Sequence, residues 1–216
     1  NVASYLGSFL NELKRYSFTK NKREYKYYTK DDENILKFLK NNLTKLDKFF
    51  SKEHSMLIKD NLSEIIRLFK KFKKLKLKKK TSHIIHMDVH PHNIITKNGK
   101  LNAFIDIDSC VRGEIAYALS YAMLKICKQT FIYNKKKIGS IKIKNSFLNE
   151  IKKTYKINKI IEDNLYYYAI SEVIRRLIEM FRFTIKNNNR KWNHVIPIQL
   201  GHLSECKDLF LNRVNQ

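Results

Sequence analysis

His86-Met87-Asp88-Val89-His90-Pro91-His92-Asn93, followed downstream by Ile105-Asp106-Ile107-Asp108, decides the reading of this chain. Between the two stretches lie Ile94-Ile95-Thr96, an Asn98-Gly99 pair and the run Leu101 to Ile105. Asn-Gly between apolar runs favours a two-residue turn in which both residues take positive φ, so the pattern predicts a β-hairpin. A hairpin returns Asp106 to the neighbourhood of Asn93. The carboxylates of Asp88 and Asp106 and the amide oxygen of Asn93 then share one small region. Hard oxygens of this kind suit Mg²⁺, which takes few protein ligands and completes its shell with waters and substrate phosphates. A carboxylate that does not hold the metal can orient or deprotonate a hydroxyl. These are the parts of a phosphoryl-transfer site.

Working outward, residues 82–87 are short, apolar and β-branched, which predicts a strand leading into the Asp88 loop. Apolar residues at helical spacing predict a helix over 2–14, with Leu6, Phe9, Leu10 and Leu13 on one face. Residues 15–30 read as a loop. Asp31 and Asp32 then start a helix that runs to about residue 50, and a second covers 54–75. Residues 114–128 read as a helix, 129–142 as a basic loop, and 143–155, 159–187 and 197–213 as further helices. With five Gly and two Pro there is little material for turns, so the expected fold class is α+β and mostly α-helical, with one small β-hairpin at the site.

A hydrophobic content of 43% argues against disorder, and 216 residues suffice for a sizeable core. No run of about 18 apolar residues occurs, which argues against a membrane span. Cys110, Cys127 and Cys206 are odd in number and widely spaced, as in a cytoplasmic protein rather than a disulfide framework. The net charge of +24 raises nucleic acid as a partner, but it rests on lysines spread over almost every segment of a chain also rich in Asn and Ile. The densest run, Lys70 to Lys80, is interleaved with Phe72, Leu75 and Leu77 and reads as the basic face of a helix end. His83, His86, His90 and His92 invite a zinc site, yet no cysteine pair joins them and the loop accounts for them otherwise.

The same residues resemble the aminoglycoside phosphotransferase and choline kinase superfamily, whose fold is that of the protein kinases. The pattern of that group reads close to His-Gly-Asp-Leu-His-Pro-Gly-Asn, then Ile-Asp-Phe-x-Asp. His86, Asp88, His90, Pro91, Asn93, Ile105, Asp106 and Asp108 are taken to match. Arg112 to Leu119 resembles the Gly-Asp-Pro-x-x-Asp-Leu-Ala that opens the following helix, and Leu6-Gly7-Ser8-Phe9-Leu10 resembles the helix after the interlobe hinge.

The resemblance implies an ATP-dependent transfer of phosphate to a hydroxyl of a small molecule: an amino sugar, choline or ethanolamine, or a homoserine-like alcohol. It implies Asp88 as catalytic base, His86 as the brace of the catalytic loop, and Asn93 and Asp106 as the residues that bind the cofactor Mg²⁺·ATP, with Asp108 auxiliary at the metal. Residues 1–216 would be the C-terminal lobe of such an enzyme. The expected partner is an N-terminal ATP-binding lobe, and the lobe alone is expected to be inactive. Tyr166-Tyr167-Tyr168 and Arg175-Arg176 fall where the family builds its acceptor pocket, and read otherwise as core aromatics and solvated charge; Glu172 and Glu179, on one helix face, could meet a cationic acceptor or pair with neighbouring lysines. Three positions depart from the pattern. Met87 and His92 replace glycines, and Ala118 stands where an Asp supports the loop. They motivate the alternative of a kinase-like binding module that no longer transfers phosphate.

Overall fold

A computed structural model describes residues 2–15, 24–25, 28–74, 83–98, 100–134 and 137–211. In chain order come α1 (Val2–Leu13), α2 (Lys30–Asn41), α3 (Lys52–Lys74), β1 (His83–His86), β2 (Ile94–Lys97), β3 (Lys100–Phe104), β4 (Cys110–Gly113), α4 (Ile115–Asn134), α5 (Lys137–Thr154), α6 (Lys159–Asp163), α7 (Leu165–Asn187) and α8 (Ile196–Phe210). The fold is α+β and mostly helical, as the sequence predicts. Much of the loop expected over 15–30 lies outside the described residues. So do the end of the 70–80 run, Gly99 of the turn and the last residues of the final helix. No helix among the described residues is long and apolar enough to cross a membrane.

Three boundaries differ from the sequence reading. The expected basic loop over 129–142 is not a loop: α4 continues to Asn134 and α5 begins at Lys137. Lysine is a good helix former, so a cationic stretch without obvious apolar periodicity can still be helical. The helix expected to run from Asp31 to about residue 50 stops at Asn41. Asn42 turns its side-chain amide onto the Phe38 carbonyl at 2.9 Å, and a 3-10 helix follows over Leu43–Lys48. The helix expected over 159–187 is interrupted at Asn164, whose amide donates to the Ile160 carbonyl at 2.8 Å. At both Asn42 and Asn164 the side-chain amide donates to the carbonyl four residues back and caps the helix end there.

The chain divides into two compact units. The first comprises 1–25, 78–169 and 205–216. In it β1 pairs antiparallel with β4, His83 opposite Gly113 and His86 opposite Cys110. Strand β2 pairs antiparallel with β3, Ile94 opposite Phe104, so Asn93 and Ile105 lie at the open end of the predicted hairpin. Asn98 takes a φ of 52°, as an Asn-Gly hairpin turn requires. Helix α1 packs on α5 at Gly7, where a Cβ would lie 2.1 Å from Thr154 Oγ1 and 3.1 Å from the Ile151 carbonyl oxygen. Gly113 is as confined: its missing Cβ would stand 2.8 Å from both Tyr25 Cβ and Ile85 Cδ1. Because Tyr25 Cβ is fixed to backbone held by Tyr25 N–H donating to Arg112 O at 2.7 Å, it cannot swing away. Gly113→Ala is therefore expected to destabilise the protein by about 1–3 kcal/mol through overpacking. A denaturant midpoint within error of wild type would contradict this.

The second unit comprises 26–77 and 170–204. Its α2 starts at a capping box, with Thr29 accepting from Asp32 N–H and the Asp32 carboxylate accepting from Thr29 N–H. Phe50 meets Phe181 edge-on at 6.0 Å in the core. Glu172 on α7 is completely buried. Arg175 donates to both its oxygens, at 2.7 and 2.8 Å, and Arg176 donates at 2.7 Å. Arg175 also reaches Glu179 at 3.0 Å. Burial alone would raise the Glu172 pKa, but the two guanidinium charges and their hydrogen bonds outweigh it and hold it at about 2. Since the folded value lies below the ordinary 4.5, Glu172 contributes stability above pH 4.5 that is lost as pH falls toward 2. Glu172→Gln is expected to destabilise by about 3–5 kcal/mol at neutral pH, because it removes the buried carboxylate that two partly buried cations share. It should also flatten the acid dependence in that window, which equilibrium unfolding between pH 2 and 7 measures.

Candidate active site

Strand β1 delivers His86 to the start of the loop with its ring fully buried. Its Nδ1 accepts the Asp88 N–H at 3.1 Å, so the proton resides on Nε2, which donates to the Ile105 carbonyl at 2.9 Å. One neutral imidazole thus ties the backbone of Asp88 to the residue immediately before Asp106. Phe9 packs edge-on to this ring at 6.3 Å and stacks on Phe104 at 4.7 Å. Met87 and Val89 are buried on either side of Asp88, which is itself half-buried.

Pro91–Asn93 forms a 3-10 turn. His90 caps it: the Asn93 N–H donates to the His90 carbonyl at 2.8 Å, and the His92 N–H to His90 Nδ1 at 3.3 Å. The Asn93 carbonyl accepts the Ile105 N–H at 3.0 Å, which closes the hairpin base. The Asn93 side-chain Nδ2 donates to the Asp88 carbonyl at 2.9 Å and lies 3.5 Å from Asp106 Oδ2. Asp88, Asn93 and Asp106 are therefore brought together, as the turn arithmetic predicts.

Asp106 is exposed and sits in the left-handed region, φ 63° and ψ 50°. Aspartate tolerates that conformation better than bulkier or β-branched residues, and a strained backbone here aims the carboxylate back across the loop. Ser109 Oγ donates to Asp106 Oδ2 at 2.9 Å, and the Ser109 carbonyl accepts the Met87 N–H at 3.2 Å. Ser109 was not among the predicted site residues. Counting from Asp106, the last Asp of the family pattern falls on Ser109 and not on Asp108, which stands one residue short of it, and that position is the signal for Ser109. Asp108 is exposed on the same short turn, Ile107–Ser109.

The donor set fits a small hard cation. The Asn93 amide nitrogen faces both Asp88 O and Asp106 Oδ2, which leaves its oxygen as the end that a cation would use. Among the described residues no three His, Cys, Asp or Glu side chains form a metal-holding group. The histidines serve separately: His83 pairs across to Gly113, His86 bridges the loop and His90 caps it.

Ala118 is a buried α4 residue. Tyr168 belongs to the core: its hydroxyl donates to Glu114 at 3.1 Å and its ring meets Tyr117 edge-on at 5.0 Å. Glu172, Arg175, Arg176 and Glu179 are joined to one another in the second unit, so the carboxylates pair with arginines rather than lysines, and Glu172 is buried rather than solvated.

The sequence model described as the phosphotransferase enzyme family (APH) matches residues 2–132. No curated protein sequence matches the chain. Among solved structures, an amicoumacin kinase in complex with AMP-PNP, Ca²⁺ and Ami is similar with a TM-score of 0.57 at 13% identity, over 98% of this chain and 60% of that one. A mutant aminoglycoside 2'-phosphotransferase-IIIa in its GDP complex is similar with a TM-score of 0.51 at 14% identity, over 95% of this chain and 60% of that one. The chain thus spans about 60% of the length of either neighbour, and at these identities the likeness is one of fold.

Proposed function

Because this chain belongs to the phosphotransferase enzyme family, we propose that it carries the catalytic loop of an enzyme that moves the γ-phosphoryl group of ATP to a hydroxyl of a small molecule. The observation that carries this reading is the Asn93 side chain held between the Asp88 carbonyl and the Asp106 carboxylate. Asp88 orients the acceptor hydroxyl and takes its proton as the oxygen attacks phosphorus. His86 keeps the Asp88 backbone fixed against the Asp106 segment. Asn93 and Asp106 would hold Mg²⁺, with Asp108 as an auxiliary carboxylate, and the ion would neutralise charge on the nucleotide phosphates. Ser109 steadies Asp106 so that its left-handed backbone and its carboxylate stay in one orientation. Proximity and charge stabilisation supply most of the rate in such chemistry, so a rigid loop is itself a catalytic requirement.

The acceptor is drawn from amino sugars, choline or ethanolamine, and homoserine-like alcohols. The partner of this chain in the complete enzyme is an ATP-binding lobe. The test incubates the full-length protein with Mg·ATP and a panel of these acceptors and follows acceptor-dependent ADP release. Release with at least one class supports the proposal; turnover unaltered by Asp88→Asn would refute the role given to Asp88.

A second reading, a kinase-like binding module without transfer, draws on Ala118 and Met87 at positions where the family has Asp and Gly. It predicts no Mg²⁺-dependent ATP binding by the full-length protein. Calorimetric binding of Mg·ATP would exclude it in that form.

A further inference from the structure

We infer that His90 is a positioning residue for the base, holding the Asp88 carboxylate by a side-chain contact that its own capping role pre-orients. The inference rests on the reading of Asp88 as the base. His90 Nε2 lies 3.3 Å from Asp88 Oδ2. The opposite ring nitrogen, Nδ1, accepts the His92 N–H at 3.3 Å. An imidazole nitrogen that accepts carries no proton, so the neutral ring bears its hydrogen on Nε2, the atom that faces the carboxylate. The His90 carbonyl meanwhile accepts the Asn93 N–H at 2.8 Å. A single residue therefore fixes the start of the turn that carries Asn93 and presents a donor to one oxygen of Asp88.

The consequence is a carboxylate whose rotation is restrained at one oxygen. With Oδ2 3.3 Å from Nε2 of the imidazole, the group meets an incoming hydroxyl in one orientation. A carboxylate turning about its own axis would lose the alignment on which proton acceptance depends. The ring is half-buried and meets His92 edge-on at 5.4 Å, so its plane is held as well as its tautomer.

Two substitutions separate this role from plain capping, because each keeps one half of the imidazole. His90→Asn retains a polar group near Nδ1 and caps well, but it cannot reach Asp88. His90→Gln retains a donor near the Nε2 position and loses the cap. In the full-length protein with Mg·ATP and the acceptor that gives turnover, His90→Asn is expected to lower kcat about 10- to 100-fold, with both KM values within about twofold and an unchanged melting temperature. His90→Gln is expected to melt earlier yet keep more of kcat than His90→Asn. A pure capping residue gives the reverse order, and that order overturns the inference.

A readout independent of activity is the ¹⁵N spectrum of histidine-labelled full-length protein. His90 should show an Nε2–H tautomer whose Nε2 signal moves on Asp88→Asn, while that of His194, remote in sequence, does not. A His90 protonated on Nδ1, or an Nε2 signal indifferent to Asp88→Asn, overturns the inference whether or not an acceptor has been found. If the spectrum behaves as expected and no acceptor is phosphorylated, it is the phosphotransferase reading that fails.

Discussion

Asp88→Asn in the full-length protein is expected to reduce kcat for acceptor phosphorylation by about 10²- to 10⁴-fold, the range a positioned general base supplies. The substitution keeps side-chain shape and removes the ability to accept a proton. The Asp88 backbone is what the loop uses structurally: its N–H goes to His86 Nδ1 and its carbonyl accepts from Asn93. Both are backbone contacts that the substitution leaves in place, so stability and Mg·ATP affinity should stay close to wild type. Loss of kcat with unchanged KM identifies an interaction made in the transition state alone.

Asp106→Ala is expected to abolish Mg²⁺-dependent ATP binding and, with it, turnover. Asp106 is one of the two ligands assigned to the ion, and Mg²⁺ held by so few protein oxygens cannot lose one and remain. The folded loop should tolerate the change less well than Asp106→Asn, because the left-handed backbone at φ 63° favours Asp or Asn over Ala. Asp106→Asn separates the two effects: it keeps the conformation and a ligand oxygen but removes the negative charge. Calorimetric titration of Mg·ATP into the three proteins should rank affinity wild type, then Asp106→Asn, then Asp106→Ala. Equal affinities would show that the ion is held elsewhere.

The loop is legible in the sequence because its chemistry and its geometry use the same residues. Asn98-Gly99 dictates a hairpin, and the hairpin alone places Asp106 beside Asn93. Helices α1 and α3 are legible because their apolar residues recur at helical spacing on one face. Strand β4 is not, since Cys110–Gly113 is short and carries its pairing in backbone contacts to β1 that no side-chain pattern announces. The 129–142 stretch misleads because its charge suggests a loop where 129–134 and 137–142 are helical. Breaks at Asn42 and Asn164 carry an Asn amide bonded to the carbonyl four residues back, but Asn61 makes the same bond within the continuous α3, so the residue alone does not announce a break. Ser109 escapes notice beside its ionisable neighbour, Asp108. A hydroxyl that acts by orienting a carboxylate has no sequence signature beyond its position.

The Glu172 network shows a different limit. Sequence spacing places Glu172, Arg175, Arg176 and Glu179 on neighbouring turns of one helix, and both an acceptor site and an ion-pair network satisfy that spacing. Only burial distinguishes them: a fully buried Glu172 with Arg175 across both its oxygens is engaged within the protein.

The most direct measurement is single-turnover transfer from Mg·ATP already bound to the full-length protein, comparing wild type with Asp88→Asn across the acceptor panel. The account predicts that both proteins bind the nucleotide equally and that only wild type transfers its γ-phosphoryl group on the timescale of mixing. Transfer by Asp88→Asn at the wild-type rate would contradict it.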